Sequence, residues 1–392
     1  MSDVRPPRAT RACPDAFAER AFRWSPHGIM RGCLKASLAV EAFCADRSAR
    51  APHSCQVETE RNAREQIVPD STSPSAEPMV SVIIPTYARP QLVVRAVRSA
   101  LAQSLADIEV IVVVDGPDDA TLEILAQIVD ARLRVHVLPR HMGTTAAYNA
   151  AIREARAHWI AFLDDDDEFL PHKLELQVPT AQRSSHRYPI VLCRIIGRAR
   201  SGDRVWPRRV PEPGQPFSEW LFCRRSPFFG EGLVQSGMIL TSRDLLEMAP
   251  FTTGLREHDD LDWALRASAV EGAGVEFVPT SEPLAIWYLD QDRPRLSLAT
   301  DWRYSLHWLR SSSHLFTRRA YASFVLTWIG SDVARQGRWG AFWPLLREAF
   351  RRGRPVIIDV LIYVAHWSLP EGVKRRVAAL FARYRTTRGS GE

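Results

Sequence analysis

Apolar positions divide the middle of the chain into short continuous runs and helical stripes. "MVSVIIP" (79–85) is a compact β-branched run stopped by proline, as a buried strand should be. In "PQLVVRAVRSALAQS" (90–104) apolar residues recur at helical spacing, and Pro90 suits a first turn. "IEVIVVVDG" (108–116) predicts a second buried strand and "DDATLEILAQIV" (118–129) a helix opened by aspartate caps. "LRVHVLP" (133–139), "TTAAYNAAIREARA" (144–157) and "HWIAFLD" (158–164) continue as strand, helix and strand. That rhythm predicts an α/β fold, a parallel sheet with helices on both faces. Such sheets bind ligands beyond the carboxyl ends of their strands. Thr86, Asp115 and Asp164 each stand just past such an end, so three strands deliver polar residues to one edge.

After residue 188 the pattern loosens. "YPIVLCRIIGRA" (188–199) predicts a strand, "SRDLLEMA" (242–249) and "DDLDWALRASAV" (259–270) short helices, and "VEFVP" and "PLAIWYL" late strands. From about 301 the chain turns helical, aromatic and basic, with sixteen Lys and Arg against five Asp and Glu in 303–392. "PVIIDVLIYVAHWSLP" (355–370) is apolar but too short to span a bilayer. Residues 1–78 mix Arg, Pro, Ser and Ala without lasting periodicity and end in "PDSTSPSAEP". They read as a disordered or weakly ordered extension, or as an overextended reading frame with the fold beginning near Met79. Three parts follow: the extension 1–78, a main domain 79–300 and a helical extension 301–392.

The bulk composition changes little. A length of 392 residues, 46 % hydrophobic, is enough for one large domain or two ordinary ones. The net charge of +6 is modest and concentrated towards the end of the chain. Cys13, Cys33, Cys44 and Cys55 show no CxxC spacing, which argues against a zinc site or a disulfide framework. No signal-peptide pattern opens the chain and no apolar run reaches 18 residues. A cytoplasmic location is the expectation.

The charge that demands an explanation is "WIAFLDDDDEFLPHKL" (159–174), four aspartates directly after a buried strand. Like charges at contact repel, and a divalent cation such as Mg²⁺ or Mn²⁺ would neutralise them while sharing a substrate phosphate. The plain alternative is a solvated acidic loop. An EF-hand is excluded, because the required Gly and distal Glu are missing.

Taken in order, "VSVIIPTYARP", "IEVIVVVDGPDDAT" and "RHMGTTAAYNAAIREARAHWIAFLDDDDEFLPHKL" resemble the nucleotide-sugar half of family 2 glycosyltransferases. The resemblance implies a GT-A-type single domain with a mostly parallel, Rossmann-like nucleotide half (79–185), an acceptor half (186–300) and a helical C-terminal extension. It implies that Pro85, Thr86, Tyr87 and Arg89 contact the nucleotide, with Asp115 near uracil or ribose. Gly143 and Asn149 match the family's G…N pair. Asp164 and Asp165 would bind the nucleotide-sugar, and Asp166 with Asp164 the metal. Two registers stay open, Asp164 with Asp166 or Asp165 with Asp167.

"GLREHDDLDWALRAS" (254–268) resembles the family's later E-D-x-D…L-R segment. On that alignment Asp260 is the general base, kept ionised by a helix N-terminus, and Asp259 lies on the acceptor side. An inverting transfer needs such a carboxylate to take the acceptor hydroxyl's proton. Glu231 and Gln235 in "GEGLVQSGMIL" (230–240) are further acceptor candidates. The implied activity is metal-dependent transfer of a sugar from a nucleotide-diphospho-sugar, a UDP-sugar by preference. The acceptor is a glycan or a lipid-linked carrier in cell-surface polysaccharide synthesis. A phosphotransferase or nucleotidyltransferase using the same aspartates, and a degenerate glycan-binding relative, remain as alternatives. Aromatics set among arginines in 301–392 suit peripheral contact with the inner face of an anionic membrane. Packing of these helices back on the domain, or a homodimer, would also use them. No nucleic-acid module is present.

Overall fold

Strands with no polar alternation occupy the centre of the molecule. β1 (Val80–Thr86) and β2 (Ile108–Val114) are buried throughout, as strands covered on both faces must be. They pair in parallel, from Val80 opposite Ile108 to Thr86 opposite Val114. β3 (Leu133–Val137) adds in parallel to β2, and β4 (Trp159–Phe162) to the other side of β1. α1 (Pro90–Leu101), α2 (Asp119–Leu125) and α3 (Thr144–Glu154) are the crossovers. Asp118 caps α2 by accepting from the Thr121 N–H. The computed structural model describes residues 77–227, 229–289 and 301–369. Nearly all of the expected extension 1–78 therefore lies outside the described residues, as do 370–392.

Beyond β4 the chain adds β5 (Glu168–Phe169), α4 (Lys173–Gln182), β6 (Tyr188–Leu192), β7 (Arg194–Arg198) and β8 (Arg204–Trp206). α5 (Phe217–Phe222), β9 (Leu240–Ser242), α6 (Arg243–Met248), α7 (Asp259–Ser268), β10 (Ala273–Phe277) and β11 (Pro283–Tyr288) follow. The main sheet runs β10-β6-β9-β4-β1-β2-β3, and a smaller one runs β5-β11-β7-β8. β9 is antiparallel to both of its neighbours, β4 and β6. Its first residue therefore lies at the edge where the parallel strands end, and the segment leading into β9 is carried to that edge.

One expected strand proves to be two. The run 188–199 breaks at Cys193, so that β6 joins the main sheet and β7 the smaller one. Sheets twist, and one straight strand cannot stay in register with partners in both.

The C-terminal part comprises α8 (Trp302–Ser311), α9 (Arg318–Ser323), a π-helical segment Phe324–Ile329, α10 (Gly330–Arg335), α11 (Phe342–Arg352) and α12 (Ile357–Ser368). α8 packs on α7. Trp308 Nε1 donates to Asp262 Oδ1 at 3.0 Å, and the Trp308 ring stacks on His258 with centroids 4.6 Å apart. Tyr304 Oη accepts from the Arg256 N–H at 2.9 Å, which fixes the segment before α7.

At the opposite end of the sheet, Glu109 ties the strand starts together. Its buried carboxylate accepts from Ser81 Oγ at 2.6 Å, Arg156 N at 2.7 Å, Arg156 Nε at 3.0 Å and Arg134 Nη1 at 2.7 Å. Burial alone would raise its pKa, but the Ser81 hydroxyl, the Arg156 N–H and the two guanidiniums hold it below the usual value of 4.5. The stabilisation is thus full above about pH 4.5 and is lost as pH falls through the lower folded value. Glu109→Ala should cost about 2–3 kcal/mol in urea unfolding at pH 7, because charged hydrogen bonds are removed and Ser81 is left without its acceptor. The difference between variant and parent should shrink as the pH is taken below 4.5.

Candidate active site

β1 and β2 end side by side and hand their next residues to one edge. Thr86 Oγ1 donates to Asp165 Oδ2 at 2.8 Å, and Arg89 Nη1 to Asp165 Oδ1 at 3.0 Å. Pro85, just inside, is buried within β1. The Asp115 carboxylate accepts the N–H groups of Met142 at 2.7 Å and Gly143 at 2.8 Å, and lies 2.8 Å from His141 Nδ1. Asp115 therefore shapes the loop that leads into α3. Gly116 has φ of 109°, and a Cβ there would stand 2.9 Å from the His141 nitrogen, so no other residue fits without movement. Tyr87 is 52 % exposed and stacks on the His141 ring at 3.9 Å. The pair offers a flat aromatic face beside the strand ends.

The four aspartates after β4 do not act alike. Asp165 turns towards Thr86 and Arg89. Asp164, Asp166 and Asp167 each bring a carboxylate oxygen within 4.8 Å of the others, a set able to hold a metal ion. Of the two registers, the geometry thus brings Asp164 and Asp166 together, and adds Asp167. Asp164 accepts from Tyr148 Oη at 2.8 Å and from Gln235 Nε2 at 2.9 Å. Gln235 Nε2 also donates to Asp167 Oδ2 at 2.8 Å, and the Tyr288 N–H to Asp167 Oδ1 at 3.1 Å. Arg89 stands 4.0 Å from Asp166, whose carbonyl is held by Arg95. Arg95 in turn covers the Tyr288 ring at 3.9 Å.

A second carboxylate cluster closes on this one. His258 takes a left-handed conformation, φ 66°, immediately before α7. The turn sends Asp259 and Asp260 to the same edge. Asp260 Oδ2 accepts the Ser236 N–H at 3.2 Å. Burial, then Asp259 and Asp164, push the Asp260 carboxyl well above 3.8. Burial and then Asp164 act on Asp259 and on Asp167 in the same direction. The α7 N-terminus, expected to favour the ionised form of Asp260, is opposed there by burial and by two like charges. His258, pushed down to about 4 by burial, is a neutral packing group between Trp308 and Phe324.

Other expected residues are placed elsewhere. The Asn149 amide donates to the Phe251 carbonyl at 2.9 Å and accepts its N–H at 3.0 Å, pinning two backbone segments. Glu231 is buried and accepts the Arg225 N–H at 2.6 Å. Gln235 bridges aspartates and is not turned to an open acceptor side. Gly143 contributes its N–H to Asp115. Sequence reasoning missed Tyr148, although a single tyrosine among the alanines of α3 was a signal. The Tyr288 contact had none, since it is made by a backbone N–H.

Residues 81–248 match the family model described as "Glycosyl transferase family 2". The succinoglycan biosynthesis protein ExoO of Rhizobium meliloti (strain 1021) is 41 % identical over 104 residues, 26 % of this chain and 30 % of that protein. The putative teichuronic acid biosynthesis glycosyltransferase TuaG of Bacillus subtilis (strain 168) is 38 % identical over 104 residues, 26 % of this chain and 41 % of that protein. The chain thus matches less than half the length of these relatives. Among solved structures, S. aureus TarS 1–349 in complex with UDP-GlcNAc is similar, with a TM-score of 0.47 and 18 % identity over 69 % of this chain and 79 % of that one. The mannosyltransferase PcManGT from Pyrobaculum calidifontis, in complex with GDP-Man and Mn²⁺, has a TM-score of 0.43 and 20 % identity over 81 % and 84 %.

Raised carboxyl pKa values have a measurable consequence. Between 3.8 and their folded values, Asp167, Asp259 and Asp260 bind more protons folded than unfolded. Their contribution to stability is full below pH 3.8 and is lost as pH rises towards those values. In the presence of a chelator, Asp260→Asn should melt several degrees above the parent at pH 7, given about 2–4 °C per kcal/mol for a domain of this size. The gap should close near pH 4. A variant that melts with the parent at both pH values would show that Asp260 carries no such load.

Proposed function

We propose, for a chain that belongs to glycosyl transferase family 2 through residues 81–248, an inverting transfer of a sugar from a nucleotide-diphospho-sugar to a glycan or lipid-linked acceptor in polysaccharide synthesis. One observation carries the reading. A trio of carboxylates suited to a divalent cation lies beside Asp260, a half-buried carboxylate from a distant part of the chain whose proton affinity is raised by desolvation, by Asp259 and by Asp164.

Asp164, Asp166 and Asp167 would hold Mg²⁺ or Mn²⁺, hard cations that match an all-oxygen donor set. The ion, when bound, supplies positive charge to a departing diphosphate. Gln235 keeps two of the carboxylates aligned by donating to both. The Tyr87–His141 stack offers its face to a nucleotide base, and Asp115 holds the adjoining loop in place. Arg89 neutralises Asp165 and lies near Asp166, where it would also meet a phosphate. Asp260 accepts the proton of the acceptor hydroxyl as that oxygen attacks the anomeric carbon. Its raised proton affinity favours that step. A phosphoryl or nucleotidyl transfer could use the same aspartates, and the match of residues 81–248 to the glycosyl transferase model favours sugar transfer. A UDP-sugar is the donor to test first.

Asp260→Asn should reduce transfer about 10²–10⁴-fold, the range of a lost general base, and leave Mn²⁺-dependent nucleotide binding intact in calorimetry. Full activity in that variant would remove Asp260 from the mechanism. Gln235→Ala should weaken Mn²⁺ binding roughly 10–100-fold, as loss of an outer-shell partner does. A thermal-shift screen of nucleotide-sugars with and without Mn²⁺ identifies the donor, since a ligand of the folded state raises its melting temperature. Silence across a full donor panel would count against an enzymatic role.

A further inference from the structure

The last two helices each carry an apolar row that nothing among the described residues covers. On α11, Trp343, Arg347 and Phe350 are exposed at helical spacing, and on α12 Ile357, Leu361 and Val364 are. Trp343 is 72 % exposed, Ile357 79 % and Leu361 62 %. The opposite faces are ordinary core, with Leu345 and Ala349 buried on α11 and Ile362 and Tyr363 on α12. The helices meet through aromatic rings. Phe342 stacks on Tyr363 at 5.1 Å, and Trp339, itself exposed, lies 5.1 Å from Trp367. The exposed rows thus belong to two helices that meet at this contact.

That region is strongly cationic. Arg338, Arg347, Arg351, Arg352 and Arg354 lie within 338–354, where Glu348 is the one acidic residue. Glu348 is buried and satisfied by Arg310, Tyr321 and Arg352. Arg347, Arg351 and Arg354 are exposed and form no ion pair among the described residues.

We propose that this face docks on a lipid bilayer with anionic headgroups. Charge decides between the candidates for its occupant. A second copy would set the arginine-rich face against itself. The chain's own 370–392 carries Lys374, Arg375, Arg376, Arg383, Arg385 and Arg388 against Glu371 and Glu392, so it would be repelled too. A nucleic acid would satisfy the arginines and leave Ile357, Leu361 and Val364 in water. A bilayer interface satisfies both, because tryptophan and arginine join an apolar body to a polar end at headgroup depth. No helix among the described residues is long and apolar enough to cross a membrane, so the contact is peripheral. The proposal is independent of the reaction proposed above.

Flotation of the full chain with vesicles tests it, comparing phosphatidylcholine alone with a mixture holding roughly 30 % phosphatidylglycerol. Binding is expected to the anionic vesicles only, and to fall as salt is raised. Arg347→Ala and Arg351→Ala should each weaken it about five-fold. Trp343→Ser combined with Leu361→Gln should weaken it at least about ten-fold, with melting temperature and oligomeric state unchanged. Equal binding to neutral vesicles, no binding, or binding indifferent to all these substitutions would overturn the proposal. It is also overturned if the double variant dissociates a dimer in light scattering without altering flotation, which would make the face a self-association surface.

Discussion

Crowding of carboxylates in a water-poor corner sets the terms for the rest of the molecule. Two unit charges 4 Å apart cost about 4 kcal/mol at an effective dielectric constant of 20, and here Asp164 presses on Asp167, Asp259 and Asp260, and Asp259 on Asp260. Asp164, Asp167 and Asp260 have donors from other parts of the chain: the Tyr148 hydroxyl from α3, the Gln235 amide and Ser236 N–H from the approach to β9, and the Tyr288 N–H from the end of β11. The antiparallel setting of β9 is what makes this arrangement possible. A parallel strand at that position would have delivered Gln235 and Ser236 to the far end of the sheet, where Glu109 sits with its own set of donors.

Much of this was readable before any coordinates. Parallel strands buried on both faces leave continuous β-branched runs, and the chain shows them at 80–86 and 108–114. The polar residues that follow them, Thr86 and Asp115, were legible as edge residues for the same reason. What stayed hidden depended on contacts between residues far apart in sequence. β9 has three residues, too few for a pattern to reveal its direction. Cys193 gives no sign that the chain changes sheets there. Asn149 reads equally well as ligand or strut, and only its two bonds to Phe251 decide for the strut. The proton affinity of Asp260 could not be judged from its helix position alone, because burial raises it most and Asp164 across the site adds to the neighbouring Asp259.

The C-terminal helices illustrate how one stretch serves two demands. Their aromatic and basic composition suited either packing or a surface role. The structure divides the two by position: Trp308 and Phe324 face inward around His258, while Trp343 and Ile357 face out. Composition averages over such a division and cannot reveal it.

The bond from Trp308 to Asp262 extends the meaning of the word domain here. Asp262 lies two residues beyond Asp260 on the same helix, and it also holds Thr252 and Arg266. α8 is thus part of the frame on which the second carboxylate cluster is mounted, though it lies outside the stretch that matches the family model. α7 lies outside it too, so recombination between relatives that respected only that stretch would part the aspartates after β4 from the second cluster and its brace together. The heritable unit is therefore longer than the recognisable one, and grafting specificity from one relative to another has to carry residues 302–311 with 259–268.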